Sequence, residues 1–256
     1  MPADELTPMA PDELADPLAF LTEAEVEIEG RMPWSSNATF LTTLRCDGPD
    51  GAIEQQAIYK PVRGERPLWD FEPGLHKRER AMFLLSEHLG LGLVPPTVIR
   101  DGPLGEGSLQ WFVPADHSEH YFTIYETRGH LHDRLREMAV LDIIANNTDR
   151  KSGHCLLQPG ADDDPSLDRV WAIDNGLCFA APYKVRTVIW EFAGDTIDDD
   201  VLARAATLLD DVPAEIAELL DDDEVVAMQH RATKLVTERA LPAEDGDYHH
   251  YPWPLV

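Results

Sequence analysis

The alternation of apolar and polar positions divides the chain into a part that reads as strands and a part that reads as helices. Val26 and Ile28 alternate with glutamates, residues 30–37 interrupt them, and the β-rich run ATFLTTLRC follows. Two strands joined by a small-residue turn are predicted. The cluster DGPDG marks the next turn, and QQAIYK gives a third strand that ends at Lys60 with Pro61 behind it. Residues 64–74 read as a loop. LHKRERAMFLLSEHLGLG then has helical spacing, with Met82, Leu85 and Leu89 on one face and Gly90 or Gly92 as its stop. TVIRDG and SLQWFV close this half as further strands.

Beyond Pro114 the pattern changes. A His- and acid-rich link, residues 116–120, leads to a helical stretch over about 130–146, then to two short apolar strand-turn units, one either side of a polar loop. KVRTVIWEF fits a helix or a strand. Residues 200–209, 213–220 (Pro at the first turn) and 224–239 have helical composition, and DYHHYPWPLV reads as an extended strip. The expected fold is α+β and two-lobed: a Pro- and acid-rich mobile N-terminus (1–18), a sheet lobe with one helix (19–113) and a mostly helical lobe (114–256).

Composition narrows the function classes. With 48 acidic against 21 basic residues and a net charge of −27, the chain lacks the clustered Lys and Arg that nucleic-acid phosphates require. The same excess opposes adhesion to anionic membranes, and no window approaches the apolar length of a membrane span. Three cysteines without CxxC spacing indicate neither a disulfide framework nor a zinc site. The N-terminal text has no basic and apolar leader pattern, so a reducing cytoplasm is the expectation.

Candidate chemistry gathers in MAVLDIIANNTDRKSGHCLL and WAIDNGLCF, which deliver Asp149 and Asp174 each at the end of an apolar segment. Phosphoryl transfer of the kinase type needs one Asp to orient or deprotonate the acceptor and a second, on an Asp-x-Gly turn, to hold magnesium against the phosphates. Upstream, Lys60 on a strand and Glu79 on the following helix complete the order Lys, Glu, Asp, Asp. Singly, each has a plainer account: a strand-end lysine, a solvated helix charge, helix-ending Asn-Asn-Thr-Asp chemistry and a hairpin turn. The Asp runs at 162–164, 198–200 and 221–223 read as solvated helix caps. His249 and His250 make no metal site without partners. Lys184 and Arg186, the basic residues after Asp174, are placed to meet an acidic substrate.

The segments SSNATF, YKPVRGE, LGLGLVPPT, GSLQWFV, LDIIANNTDR and AIDNGL together resemble the phosphatidylinositol 3-/4-kinase superfamily, closest to its type II phosphatidylinositol 4-kinases and small actinobacterial kinase-like proteins. The resemblance covers about residues 30–180. It implies that Ser35, Ser36 and Asn37 form a phosphate-covering turn, that Lys60 and Glu79 are an ion pair, and that residues 110–113 (Gln110 to Val113) are a hinge whose backbone receives adenine. It also implies that Asp149, with Arg150 beside it, is catalytic and that Asp174 binds metal.

One position departs from that pattern: His154 stands where a metal-binding Asn is expected. Imidazole prefers softer ions than magnesium, so His154 is open to manganese or zinc, to a phosphate, to a weakened enzyme, or to a local hydrogen bond alone. The expected activity is transfer of the γ-phosphoryl group of ATP, with Mg2+ or Mn2+, to a hydroxyl of a small molecule, lipid or protein. The rival readings are a nucleotide-binding regulator with little turnover, adenylyl transfer from the same fold, and an acidic interaction protein.

Overall fold

The computed structural model describes residues 8–33, 37–48, 51–68, 71, 73–243 and 250–255. The chain forms two compact units, Met1–Arg80 with Pro95–Pro114, and Ala81–Val94 with Ala115–Val256. The expected boundary after residue 113 therefore falls one residue later. In addition, the segment from Ala81 to Val94 belongs with the helical unit.

The first unit is an antiparallel sheet of β1 (Glu25–Arg31), β2 (Phe40–Gly48), β3 (Gly51–Pro61), β4 (Thr97–Gly102) and β5 (Gly105–Trp111), ordered β1-β2-β3-β5-β4. Alternation in β3 buries Ala57, Tyr59 and Pro61 and leaves Gln56, Ile58 and Lys60 toward the other face. A short helix, α1 (Pro17–Glu23), precedes the sheet. Asp16 caps it by accepting the Ala19 N–H at 2.8 Å, with Pro17 at the first helical position.

From residue 8 onward the N-terminal segment, expected to be mobile, is hydrogen-bonded to the sheet. The Trp111 indole N–H is buried and requires an acceptor, which the Met9 carbonyl supplies at 2.8 Å; the Met9 N–H in turn donates to Gln55 Oε1 at 2.9 Å. α2 (Leu75–His88) follows β3, and Gly90 and Gly92, both at positive φ, end its run as the sequence indicated.

The second unit is built on α4 (His132–Ala145), in which every residue from Met138 to Ala145 is buried. A helix apolar all round belongs in a core, and here α7 (Asp222–Glu238) and the hairpin of β6 (Cys155–Gln158) and β7 (Arg169–Ala172) pack on it. α5 (Asp199–Asp210) packs on α7, with the short α6 (Ala214–Ala217) between them in sequence. Asp198 and Asp221 cap α5 and α7, as the Asp runs suggested.

Two expectations need correction. α3 (Tyr121–Thr127) lies between the expected link at 116–120 and the expected helical stretch from about 130, where no element was expected, and burial of Tyr121 and Ile124 fixes it. KVRTVIWEF forms neither helix nor strand: apart from a single parallel bridge, Arg150 to Thr187, it is irregular. No disulfide joins Cys46, Cys155 and Cys178. No described helix is long and apolar enough to cross a membrane.

Candidate active site

In the sheet unit Lys60 and Glu79 meet as expected: Lys60 Nζ donates to Glu79 Oε1, and Glu79 is buried in the second turn of α2. β5 comes unusually close at this point. A Cβ on Gly107 would collide with the Lys60 carbonyl oxygen and lie 2.7 Å from Pro61 Cα, so only glycine allows the strand to run there.

The connection between β1 and β2 is laced to the chain just after Lys60. Asn37 Oδ1 accepts the Arg66 N–H at 2.9 Å, and the Ala38 N–H donates to the Gly64 carbonyl at 3.1 Å. Ser35 and Ser36 lie outside the described residues.

The expected hinge is only partly open to a ligand. Gln110 sits inside the sheet, paired with Ile58 on one side and Thr97 on the other, and its side chain donates to Thr97 Oγ1 at 2.9 Å. It serves the sheet, because the backbone of a central strand is already committed to its neighbours. The Val113 backbone N–H and C=O have no hydrogen-bond partner among the described residues.

In the helical unit, α4 ends at Asn146 in the left-handed conformation, which Asn tolerates. Asn147 then couples helix to loop. Its side-chain N–H donates to Asp142 Oδ1, and its side-chain oxygen accepts the Asp149 N–H, each at 2.9 Å. The Asp149 carboxylate is thereby aimed by the helix. Burial raises its pKa above the usual range for an aspartate, against the hydrogen bond from Lys151 Nζ at 2.7 Å, which acts to lower it.

His154 and Asp174 complete the group. His154 Nδ1 lies 2.8 Å from the Asp149 carbonyl oxygen, a contact that assigns its proton to Nδ1. Nε2 then presents its lone pair to Asp174 Oδ2 at 3.4 Å. Burial lowers the His154 pKa, with Asp174 pulling the other way, so the ring is neutral at pH 7. Asp174 itself sits at φ 56°, a strained conformation for a non-glycine residue.

Arg150 does not take the role its position suggested. Its side chain is wholly buried and all five N–H groups are used. Nε and Nη2 bond to Asp142 at 2.9–3.2 Å, Nη2 also to Asn175 Oδ1 at 2.7 Å, and Nη1 to the carbonyls of Ile173 at 2.9 Å and His154 at 3.3 Å. Burial would drive off its proton, but the Asp142 carboxylate outweighs that and holds the guanidinium charged. No face is left for a substrate. Arg150 instead clamps both residues flanking Asp174 to the helix that aims Asp149.

Sequence reasoning missed Lys151, Asp142, Asn147 and Asn175. Asp142 had a signal: a carboxylate inside the apolar run AVLDIIA requires a buried partner.

The two acceptors facing each other, His154 Nε2 and Asp174 Oδ2, suit a cation placed to meet both. Among the described residues no group of three or more His, Cys, Asp or Glu is arranged to hold a metal ion. Any ion here would draw its remaining ligands from phosphate oxygens and water, as magnesium-type sites do.

The Mycobacterium tuberculosis protein Rv2133c is 38% identical to this chain over 276 residues, covering 93% of the chain and 95% of its own length. No known family profile matches the chain. The crystal structure of the Golgi casein kinase with Mn/ADP bound is similar at a TM-score of 0.54 and 15% identity, over 93% of this chain and 79% of that one. The structure of hydra Fam20 with sugar is similar at 0.50 and 16%, over 90% and 88%. At such identities the likeness establishes the fold, which is two-lobed, α+β and kinase-like.

Proposed function

Since the chain belongs to the family of the Mycobacterium tuberculosis protein Rv2133c and has a kinase-like fold, we propose that it is an ATP-dependent phosphotransferase acting in the cytoplasm. In this reading it transfers the γ-phosphoryl group to a hydroxyl acceptor, in the manner of the phosphatidylinositol 3-/4-kinase-like enzymes it resembles. The observation that carries the reading is the arrangement of Asp149, Lys151, His154 and Asp174 about one loop.

Asp149 accepts the proton of the acceptor hydroxyl as its oxygen bonds to the γ-phosphorus and the bond to the β-phosphate oxygen breaks, releasing ADP. Its raised pKa favours that task. Lys151 offsets negative charge beside it. Asp174 and His154 hold the divalent ion, which supplies charge neutralisation at the phosphates. The imidazole donor, together with the Mn/ADP bound to the Golgi casein kinase, favours Mn2+ over Mg2+. Lys60, fixed by Glu79, contacts the α- and β-phosphates; the turn at Asn37 covers them, and the Val113 backbone receives adenine. Arg150 acts only by positioning.

The test is isotope transfer from γ-labelled ATP with each metal, beside thermal unfolding with nucleotide. Wild type transfers or hydrolyses, and Asp149→Asn and Asp174→Ala do not. Equal zero turnover for all three, with nucleotide still stabilising the fold, would leave a nucleotide-binding regulator, the reading that His154 in place of Asn favours.

A further inference from the structure

The segment after Asp174 has a composition at odds with the rest of the chain. In a protein with 48 acidic residues among 256, no Asp or Glu occurs from Asn175 to Trp190, while Lys184 and Arg186 do. This segment is also fixed against the catalytic loop. The Arg186 N–H donates to the Asn147 carbonyl at 2.9 Å, the Arg150 N–H to the Arg186 carbonyl at 3.1 Å, and the Val188 N–H to the Arg150 carbonyl at 3.0 Å.

The bridge pair Arg150 and Thr187 both turn inward to Asp142, the Thr187 hydroxyl at 3.3 Å. Arg186 is thereby bonded through both its backbone N–H and its carbonyl to the loop that carries Asp149 and Lys151. Arg150 is spent on Asp142 and Lys151 on Asp149, but the Arg186 side chain is only part-buried and makes no hydrogen bond or ion pair among the described residues. A part-buried guanidinium without a counter-charge among the described residues, on a segment bonded to the loop of Asp149 in so acidic a chain, is available to an anion from outside.

We propose that Arg186 is an anion-binding residue of the acceptor site, so that the acceptor is a hydroxyl compound carrying a phosphate or carboxylate group. This rests on the phosphotransferase reading, because it makes Arg186 read the acceptor and not the nucleotide. An anion held by Arg186 places the attacking hydroxyl at Asp149 and offsets charge that an acidic surface otherwise repels.

Chemical modification of Arg186 tests this directly. The full chain with Mg2+ and a non-hydrolysable ATP analogue, which fills the γ-phosphate position, is treated with phenylglyoxal and labelling at Arg186 is followed by mass spectrometry. Inorganic phosphate and glutarate are the two probes. Arg186 labels in the nucleotide complex, and one or both anions slow that labelling roughly tenfold, the weight of a charge-assisted bond; the one that protects names the acceptor's anionic group. Protection by the nucleotide analogue alone assigns Arg186 to the nucleotide and overturns the proposal. So does labelling that neither anion slows, or no labelling at all.

In thermal unfolding, stabilisation by the protecting anion is lost in Arg186→Gln and retained in part in Arg186→Lys. If the nucleotide analogue produces no stabilisation of wild type, the phosphotransferase reading itself falls, a result separate from any at Arg186.

Discussion

Burial of Asp149 disfavours its ionised form, a cost to stability that the proposed role as proton acceptor would use. Burial raises its pKa, so the ionised side chain weakens the fold by an amount that is absent below the unfolded value, about pH 4, and grows as pH rises through the folded one. Asp149→Asn therefore raises the unfolding temperature at pH 7.5, with the gain vanishing as pH approaches about 4, while transfer falls by about 10²–10⁴-fold. Thermal unfolding at the two pH values, beside isotope transfer, checks both parts. For the same reason wild-type transfer declines as pH falls through that raised value. His154 makes a separate prediction: with an amide oxygen in place of imidazole, His154→Asn shifts the ratio of Mn2+- to Mg2+-supported turnover toward magnesium, read from metal titrations of the transfer assay.

Among the elements, β5 and the loop after α4 carry the tightest constraints. Gly107→Ala forces β3 away at Lys60, costing about 1–3 kcal/mol in urea unfolding and shrinking the stabilisation given by ATP, because the Lys60–Glu79 pair moves with the strand. Arg150→Met leaves the buried Asp142 carboxylate without its ion-pair partner, which costs about 3–5 kcal/mol; adding Asp142→Leu recovers much of the loss.

The elements were legible to different depths. The five strands of the sheet, α2, α4 and the capped α5 and α7 follow from periodicity and turn chemistry, which act locally. α3 was not legible: YFTIYET is rich in aromatic and β-branched residues, and burial of Tyr121 and Ile124 decides its conformation. KVRTVIWEF misled in the opposite sense. Its alternation looks regular, but its backbone groups bond to the loop after α4 and to the tail, where the His250 carbonyl accepts the Thr187 N–H at 3.0 Å. Of the candidate residues, the pairing of Lys60 with Glu79 was legible by order. The burial of Arg150 was not, because sequence order gives no sign of where a guanidinium points.

At the scale of the molecule, charge dominates. A net charge of −27 repels itself in any compact form, and each unit folds against it. Raising ionic strength from about 0.01 to 0.15 M shortens the screening length from about 30 to 8 Å, so the unfolding temperature rises with added sodium chloride. An unchanged or falling value in that titration would mean that local ion pairs outweigh the excess.

The division of labour within the dipeptide Asp149-Arg150 has a consequence for lineages that carry it. Its second member serves architecture and its first, in the proposed function, serves reaction, so drift toward inactivity would erase the aspartate and leave the arginine under undiminished selection. A surviving arginine in a relic gene would certify a sound scaffold and say nothing of turnover.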